Sequence, residues 1–237
     1  MTYANTSGTI ATQAKRTAAV TLKPKREEID HRTMKLMVGV VALSLAGLTS
    51  AFATSSITSI SASYYEEGWS QIVFIGFLFA IAAFLLAYNG LTSGEMVLSK
   101  IAAAAALCVA LFPCTCDGHS ELVPYIHGAS AATMFFVLTY FCYCFYRRAL
   151  AKGHTEAKLR AVIYAACGVA ILVAIVTLAF DNLSGGTLTS HFSRFVFYGE
   201  ATGLIAFGTS WLTASRTLPV ITRQDERFSP LRNDNPA

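Results

Sequence analysis

The chain has 237 residues, of which 54% are hydrophobic and 14% are charged, and its formal net charge is +4. An ordinary soluble domain carries roughly 25% charged residues, so this composition argues against one. Long apolar stretches separate short polar ones, a pattern typical of an integral membrane protein. We therefore interpret the basic residues as determinants of membrane topology, and we expect no nucleic-acid partner.

The N-terminal segment, residues 1–34, is basic and Thr-rich and has no apolar period. We expect it to be disordered or attracted to anionic lipid headgroups on the cytoplasmic side. The next stretch, Met34–Thr54, also resembles a signal peptide with cleavage after Ala51-Phe52-Ala53. Its long leading segment and its apolar length favour a retained first span over cleavage.

Six stretches are long and apolar enough to cross about 30 Å of hydrocarbon as helices. They predict an all-α bundle of six transmembrane helices over residues 35–215, followed by a tail, 216–237, expected to be disordered or surface-bound as well. The third stretch is the weakest, because it is short, Ala-rich and carries Lys100 near one end. The predicted spans are Leu36–Ile57, Gln71–Tyr88, Val97–Pro113, Ile126–Tyr146, Ala161–Phe180 and Phe195–Thr213.

The basic residues predict the orientation of the spans. Of the 18 Lys and Arg residues, seven precede the first span, five lie between spans four and five, and four follow span six. The connections 58–70 and 114–125 contain none. The positive-inside rule therefore predicts that both termini are cytoplasmic. We expect a multi-pass protein of a bacterial inner membrane.

Polar residues of the outward connections indicate a site at the outer face. Glu200 lies inside span six, and an acid there is costly unless it is paired, protonated or hydrated. We predict an outward-facing polar pocket for a ligand, built from Ser61, Tyr64, His127 and Glu200. The alternatives are a neutral Glu200 bonded to a neighbouring helix and an interfacial His127 that contacts water.

A second candidate site lies in the connection between spans three and four. Cys114, Cys116, Asp117 and His119, with His127 nearby, offer thiolate, carboxylate and imidazole groups, which are ligand types for Zn or Cu. The spacing is not that of a common zinc motif, which uses C-x₂-C pairs. A Cys114–Cys116 disulfide and a pair of cysteines with no special role are the alternatives.

Several short motifs resemble a group of uncharacterised bacterial six-span proteins, the DUF998-like domains of unknown function. The similarity spans roughly residues 36–213, and it implies a six-helix fold but no activity. The motifs are Ser59–Tyr65, Phe74–Leu78, Tyr88-Asn89-Gly90, Ala110–Pro113, His127-Gly128, and Glu200 with Phe207 and Trp211-Leu212.

A more distant similarity is to the membrane hydrolases that include alkaline ceramidases and the progestin and adipoQ receptors. It would place Ser61, Asp117, His119 and His127 around a Zn²⁺ ion, although this chain lacks the seventh span and the late paired-His motif of that superfamily. Whether the chain is an enzyme stays open.

Three functional hypotheses follow. The first is a lipid- or small-ligand-binding protein or an accessory subunit that contacts other membrane subunits or itself. The second is a metal-dependent membrane hydrolase or redox enzyme, and the third is a small transporter or channel.

Overall fold

The protein is described here by a computed structural model that covers residues 31–116, 118–120 and 123–229. These residues form six α-helices, together with short 3₁₀ turns at 61–64, 219–221 and 224–226, and they contain no strand. The helices are α1 His31–Phe52, α2 Trp69–Ala87, α3 Ser93–Leu111, α4 Ile126–Leu150, α5 Thr155–Leu183 and α6 Phe195–Ser215.

The all-α prediction is confirmed. Each helix overlaps a predicted span over most of its length and differs from it at the ends. The third helix begins at Ser93, before the predicted start, because Thr92 caps it by accepting a hydrogen bond from the Glu95 N–H at 3.2 Å. The fifth begins at Thr155, where the His154 ring accepts a hydrogen bond from the Ala157 N–H.

Five of the helices, α1 to α5, are long and apolar enough to cross a membrane by length and composition. The sixth has 21 residues but is not among them, and glycines, hydroxyl side chains and Glu200 interrupt its hydrophobic residues. The chain is therefore a helical membrane protein with at least five segments suited to a bilayer.

The helices form a closed bundle. Each helix packs against the next one along the chain, and α6 packs extensively against α1, so the last helix completes the ring. Connections of four to sixteen residues reverse the chain between successive helices, which makes neighbouring helices antiparallel.

The core of the bundle is built around Trp211 of α6, which is fully buried. Its indole lies 5.1 Å from the ring of Tyr88 and 5.4 Å from that of Phe207, measured between ring centroids. Phe141 meets it edge-on at 5.8 Å. Such tilted and edge-to-face pairs are the favoured arrangement of aromatic rings, so this cluster fixes the relative positions of α2, α4 and α6.

Two glycines bring α1 and α6 into backbone contact. A Cβ atom at Gly39 would lie 2.9 Å from the Leu212 backbone N, and one at Gly208 would lie 2.9 Å from the Gly39 carbonyl oxygen. No side chain fits at either position without moving the helices apart. The closure of the ring therefore depends on small residues, as is common where membrane helices approach closely.

The C-terminal segment 216–229 folds back onto the bundle, in contrast to the expectation of a disordered or surface-bound tail. The Phe228 N–H donates to the Arg216 carbonyl at 3.0 Å. The Glu226 carboxylate accepts hydrogen bonds from Arg216 at 2.8 Å and from Arg160 at 2.9 Å. Of the N-terminal segment 1–34, which was predicted to be disordered or bound to lipid headgroups, residues 1–30 lie outside the described residues. Residues 31–34 belong to α1.

Candidate functional site

Three of the four predicted pocket residues meet at one end of the bundle. Ser61 lies in the first connection, His127 at the start of α4 and Glu200 in the second turn of α6. The first connection carries no Lys or Arg, yet it is not a surface loop: residues 59–63 are all buried among the helix ends. Ser61 and His127 are only 6% and 7% exposed.

Hydrogen bonds join these side chains into a chain of contacts. The Ser61 hydroxyl donates to Glu200 Oε1 at 2.8 Å and lies 3.0 Å from His127 Nε2. The second carboxylate oxygen of Glu200 accepts the backbone N–H groups of Ile60 at 2.6 Å and Ser61 at 3.2 Å. His127 Nδ1 lies 2.8 Å from the Phe112 carbonyl oxygen.

The pattern of donors and acceptors indicates how the protons are placed. A carbonyl oxygen only accepts, so His127 Nδ1 carries a hydrogen. The Ser61 hydroxyl has a single hydrogen and lies between His127 Nε2 and Glu200 Oε1. Two proton arrangements fit these contacts: an imidazolium and a carboxylate that both bond to the hydroxyl, or a neutral imidazole that accepts from Ser61 while a protonated Glu200 donates to it. Both leave the buried cluster electrically neutral.

This arrangement holds part, but not all, of what acyl transfer requires. A serine within reach of a histidine whose other nitrogen is fixed by a carbonyl resembles a nucleophile with its base. However, Glu200 occupies both the Ser61 hydroxyl and the adjacent backbone N–H groups of residues 60 and 61, which could otherwise stabilise an oxyanion. As folded, the cluster ties the first connection to α4 and α6.

Tyr64, the fourth predicted pocket residue, lies apart from this hydrogen-bonded chain. Its ring packs edge-on against Tyr65 at 5.4 Å, and its carbonyl accepts a hydrogen bond from Gln71. Nearby, Glu66 accepts hydrogen bonds from the Thr54 hydroxyl and backbone N–H, which hold the pKa of Glu66 below its usual value. These contacts fix the C-terminal end of α1 to the start of α2.

The cysteines of the second candidate site form a disulfide, Cys114–Cys116. Bonded sulfurs are not the thiolates that Zn or Cu binds, so the disulfide alternative holds in this structure. His119 stacks on Tyr65, with ring centroids 3.9 Å apart. Asp117 lies outside the described residues. Within the described ranges no three His, Cys, Asp or Glu residues converge as a metal site would require, and a metal at Asp117, His119 and His127 stays a prediction.

A second concentration of polar side chains lies at the opposite end, where α1 begins and α6 ends. Sequence reasoning used these residues only to orient the chain. Glu226 there binds Lys152, Arg160 and Arg216, and Glu95 binds Arg148. Partial burial opposes ionisation of Glu226, but the hydrogen bond from Lys152 and the charge of Arg216 prevail and hold its pKa at about 2.

A groove runs along the outside of the bundle between α5 and α6. Its volume is about 980 Å³, and apolar side chains dominate its lining. Val162, Ala166 and Ala170 form the α5 wall, and Tyr198 and Thr202 belong to the α6 wall. Val162 and Tyr198 are 64% and 62% exposed, so the groove opens sideways, on the outside of the bundle.

Comparisons with known proteins add no relative to this description. No protein-family model, no curated protein and no solved structure matches the chain. The resemblance to uncharacterised six-span proteins therefore stays a prediction, and the function has to be inferred from the geometry of the bundle itself.

Proposed function

We propose that this protein is a six-span membrane protein, with both termini on the cytoplasmic side, that binds a membrane lipid through an acyl chain held between α5 and α6. This is a specific form of the lipid-binding hypothesis, with the ligand placed in a lateral groove instead of the outward polar pocket. The observation that carries it is the apolar groove of about 980 Å³ on a face that a bilayer would cover.

The shape of the groove supports an elongated apolar ligand. Its lining extends along α5 from Val162 to Thr177, which corresponds to ~22 Å at a rise of 1.5 Å per residue. Ala165, Ala166 and Ala170 have small side chains, which leaves space along the floor of the groove. Tyr146 and Phe195 lie at its two ends. A lipid chain already surrounds such a face, so binding needs no transfer from water.

The polar cluster supports this function by holding one wall of the groove. Tyr198 and Thr202 line the groove, whereas Glu200, between them in sequence, points to Ser61 on the other side of α6. Gly199 permits close contact with α5, since a Cβ atom there would lie 2.8 Å from Leu178 Cδ2. The cluster thereby fixes the rotation of α6 about its axis.

Filling the groove tests the proposal. Ala166→Phe and Ala170→Phe place a ring in the space for the acyl chain, and Ala83→Phe adds the same ring at an exposed position of α2 outside the groove. Native mass spectrometry of protein purified in mild detergent counts the phospholipids that each variant retains. We expect the groove variants to lose at least one lipid per chain and Ala83→Phe to retain the wild-type number.

Two outcomes would contradict lipid binding in the groove. Equal lipid retention in all variants would show that the groove holds no specific chain. Loss of a dimer without loss of lipid in the groove variants would identify the occupant as a second copy of the protein, the self-association alternative.

The six-span topology has its own test. Reporter enzymes that are active on only one side of the membrane are fused after Gly153 and after Gly186, which lie in successive connections of the bundle. The proposed orientation places residue 153 in the cytoplasm and residue 186 outside. The same side for both fusions would mean that α5 does not cross the bilayer.

A further inference from the structure

We propose that the end of the bundle at which α1 begins holds a binding site for a phosphate group. The site is a cavity of about 270 Å³ on the bundle axis, referred to below as the cationic pocket. It is lined by six basic side chains from four parts of the chain, together with aromatic rings. The cations are Arg32, Lys35, Arg148, Lys152, Arg160 and Arg216.

Among the described residues, the carboxylates at this end are fewer than the cations. Glu95 pairs with Arg148, and Glu226 is shared by Lys152, Arg160 and Arg216. With Arg32 left out of the count, two carboxylates of the described residues face five cations, a formal excess of three positive charges around one small cavity. Like charges held this close repel each other unless an anion lies among them.

Lys35 is the side chain of this pocket that most clearly lacks a counter-charge. Its ammonium lies 5.0 Å from the centroid of the Phe145 ring and 5.5 Å from that of Tyr88. Across residues 31–116, 118–120 and 123–229 it has no carboxylate partner and no hydrogen-bond acceptor. Aromatic faces stabilise a cation only in part, so the three ammonium hydrogens are available to an anion.

A second donor or acceptor at the same cavity is also unsatisfied. The Nδ1 atom of His31, one turn before Lys35, is buried and has no hydrogen-bond partner among the described residues. The His31 ring packs edge-on against Tyr88 at 5.6 Å, which holds it at the wall of the pocket. A buried polar atom is stabilised by a hydrogen-bond partner, and a ligand atom in the pocket would supply one to this nitrogen.

The chemistry of the lining selects an oxyanion with several acceptor oxygens. Phosphate groups accept charge-assisted hydrogen bonds from Arg and Lys together, and basic pockets between membrane helices on the cytoplasmic side bind anionic lipid headgroups. By the proposed topology this pocket opens at the cytoplasmic leaflet. The phosphate therefore belongs to an anionic lipid headgroup or to a free phosphate ion, and experiment distinguishes the two.

The test compares Lys35→Met with Lys158→Met. Methionine keeps the length of Lys35 against Phe145 and Tyr88 but removes its charge. Lys158 is an exposed residue of α5 at the same end of the bundle that does not line the pocket, so its substitution removes the same charge without touching the site. Inorganic phosphate is titrated onto protein in uncharged detergent, and phosphatidic acid is titrated in nanodiscs of phosphatidylcholine.

We expect wild type to bind at least one of the two probes and Lys35→Met to bind it about 10- to 100-fold more weakly, as for loss of one charged hydrogen bond. Lys158→Met should change the affinity by less than about twofold. Binding of phosphatidic acid alone would identify a lipid headgroup, and binding of both probes would identify a site for the phosphate group as such. No binding of either probe, or equal weakening by both substitutions, would overturn the proposal.

Thermal unfolding shows whether a loss of binding is caused by misfolding of the variant. Removing an ammonium that lacks a counterion should leave Lys35→Met at least as stable as wild type without phosphate. Addition of the bound probe should then raise the Tm of wild type but not that of the variant. A Lys35→Met protein that is less stable than wild type without the probe would assign Lys35 to the fold and contradict the site.

Discussion

The contact between α1 and α6 can be tested through Gly39. Replacing Gly39 by Ala introduces a Cβ atom 2.9 Å from the Leu212 backbone N, 3.0 Å from the Gly208 carbonyl oxygen and 3.1 Å from the Leu212 Cα. All three are backbone atoms, which a rotamer change cannot move. The helices must separate, and overpacking of this kind costs about 1–3 kcal/mol.

The matched control is Gly47→Ala, two turns further along the same helix. A Cβ atom at Gly47 meets nothing within 4 Å, so this substitution only restores helix propensity, a gain of about 0.5–1 kcal/mol. At roughly 2–4 °C per kcal/mol for a protein of this size, Gly39→Ala should lower the Tm by ~2–12 °C.

The assay is thermal unfolding of purified protein in mild detergent, followed by intrinsic fluorescence, with both variants at one protein concentration. Gly208→Ala should behave like Gly39→Ala, because its Cβ would lie 2.9 Å from the Gly39 carbonyl oxygen. If Gly39→Ala is as stable as Gly47→Ala, the helices do not approach as closely as described and the reasoning on ring closure fails.

Three further predictions follow from the ends of the bundle. Glu200→Gln should destabilise the protein by about 1–3 kcal/mol in thermal unfolding, because one amide oxygen replaces a carboxylate that accepts three hydrogen bonds, and the exposed control Glu67→Gln should have no effect. The 114–116 disulfide predicts that alkylation of denatured protein labels four cysteines before reduction and all six afterwards, whereas six before reduction would show free thiols. Since the pKa of Glu226 is about 2 and its ordinary value is 4.5, the attachment of the tail should be complete above about pH 4.5 and weaken as the pH falls towards 2. Hydrogen exchange of residues 219–229 at pH 6 and pH 3 measures this, and at neutral pH Glu226→Gln should expose the tail to trypsin while Asp225→Asn should not.

The helical part of the fold could be predicted from the sequence because long apolar stretches have few alternatives in a bilayer. Polar connections marked the helix ends to within six residues. The closure of α6 on α1 could not be predicted, because it depends on Gly39 and Gly208, which are far apart in the chain and look like any other glycines of a span. Only the three-dimensional structure shows that their backbones touch.

The hydrogen-bonded cluster of Ser61, His127 and Glu200 was predicted in part. An acid inside a span has to find partners, and this rule drew attention to Glu200. Its actual partners include the backbone N–H groups of Ile60 and Ser61, and any residue type supplies such groups. The sequence therefore carried no signal that the first connection turns inward.

The cationic pocket was not predicted from the sequence, for a different reason. Lys35, Arg148 and Arg216 each lie at an end of a predicted span that the positive-inside rule assigns to the cytoplasm, and the rule accounts for each of them singly. Since the ends of α1, α4 and α6 lie at one face of the bundle, their convergence could have been proposed from the topology. The sequence could not show which cations pair with Glu95 and Glu226. Those pairs determine how much positive charge is left unbalanced among the described residues.

The closure of the ring by its last helix has a consequence for how the protein is made. During synthesis α1 leaves the ribosome before α6, and its partner face, with Gly39, stays uncovered until α6 follows more than 150 residues later. The helix that carries Glu200 is thus the last of the six to insert, between α1 and α5. Truncation before Phe195 should therefore leave an open, unstable five-helix intermediate, which is the form that quality-control proteases of the membrane would degrade.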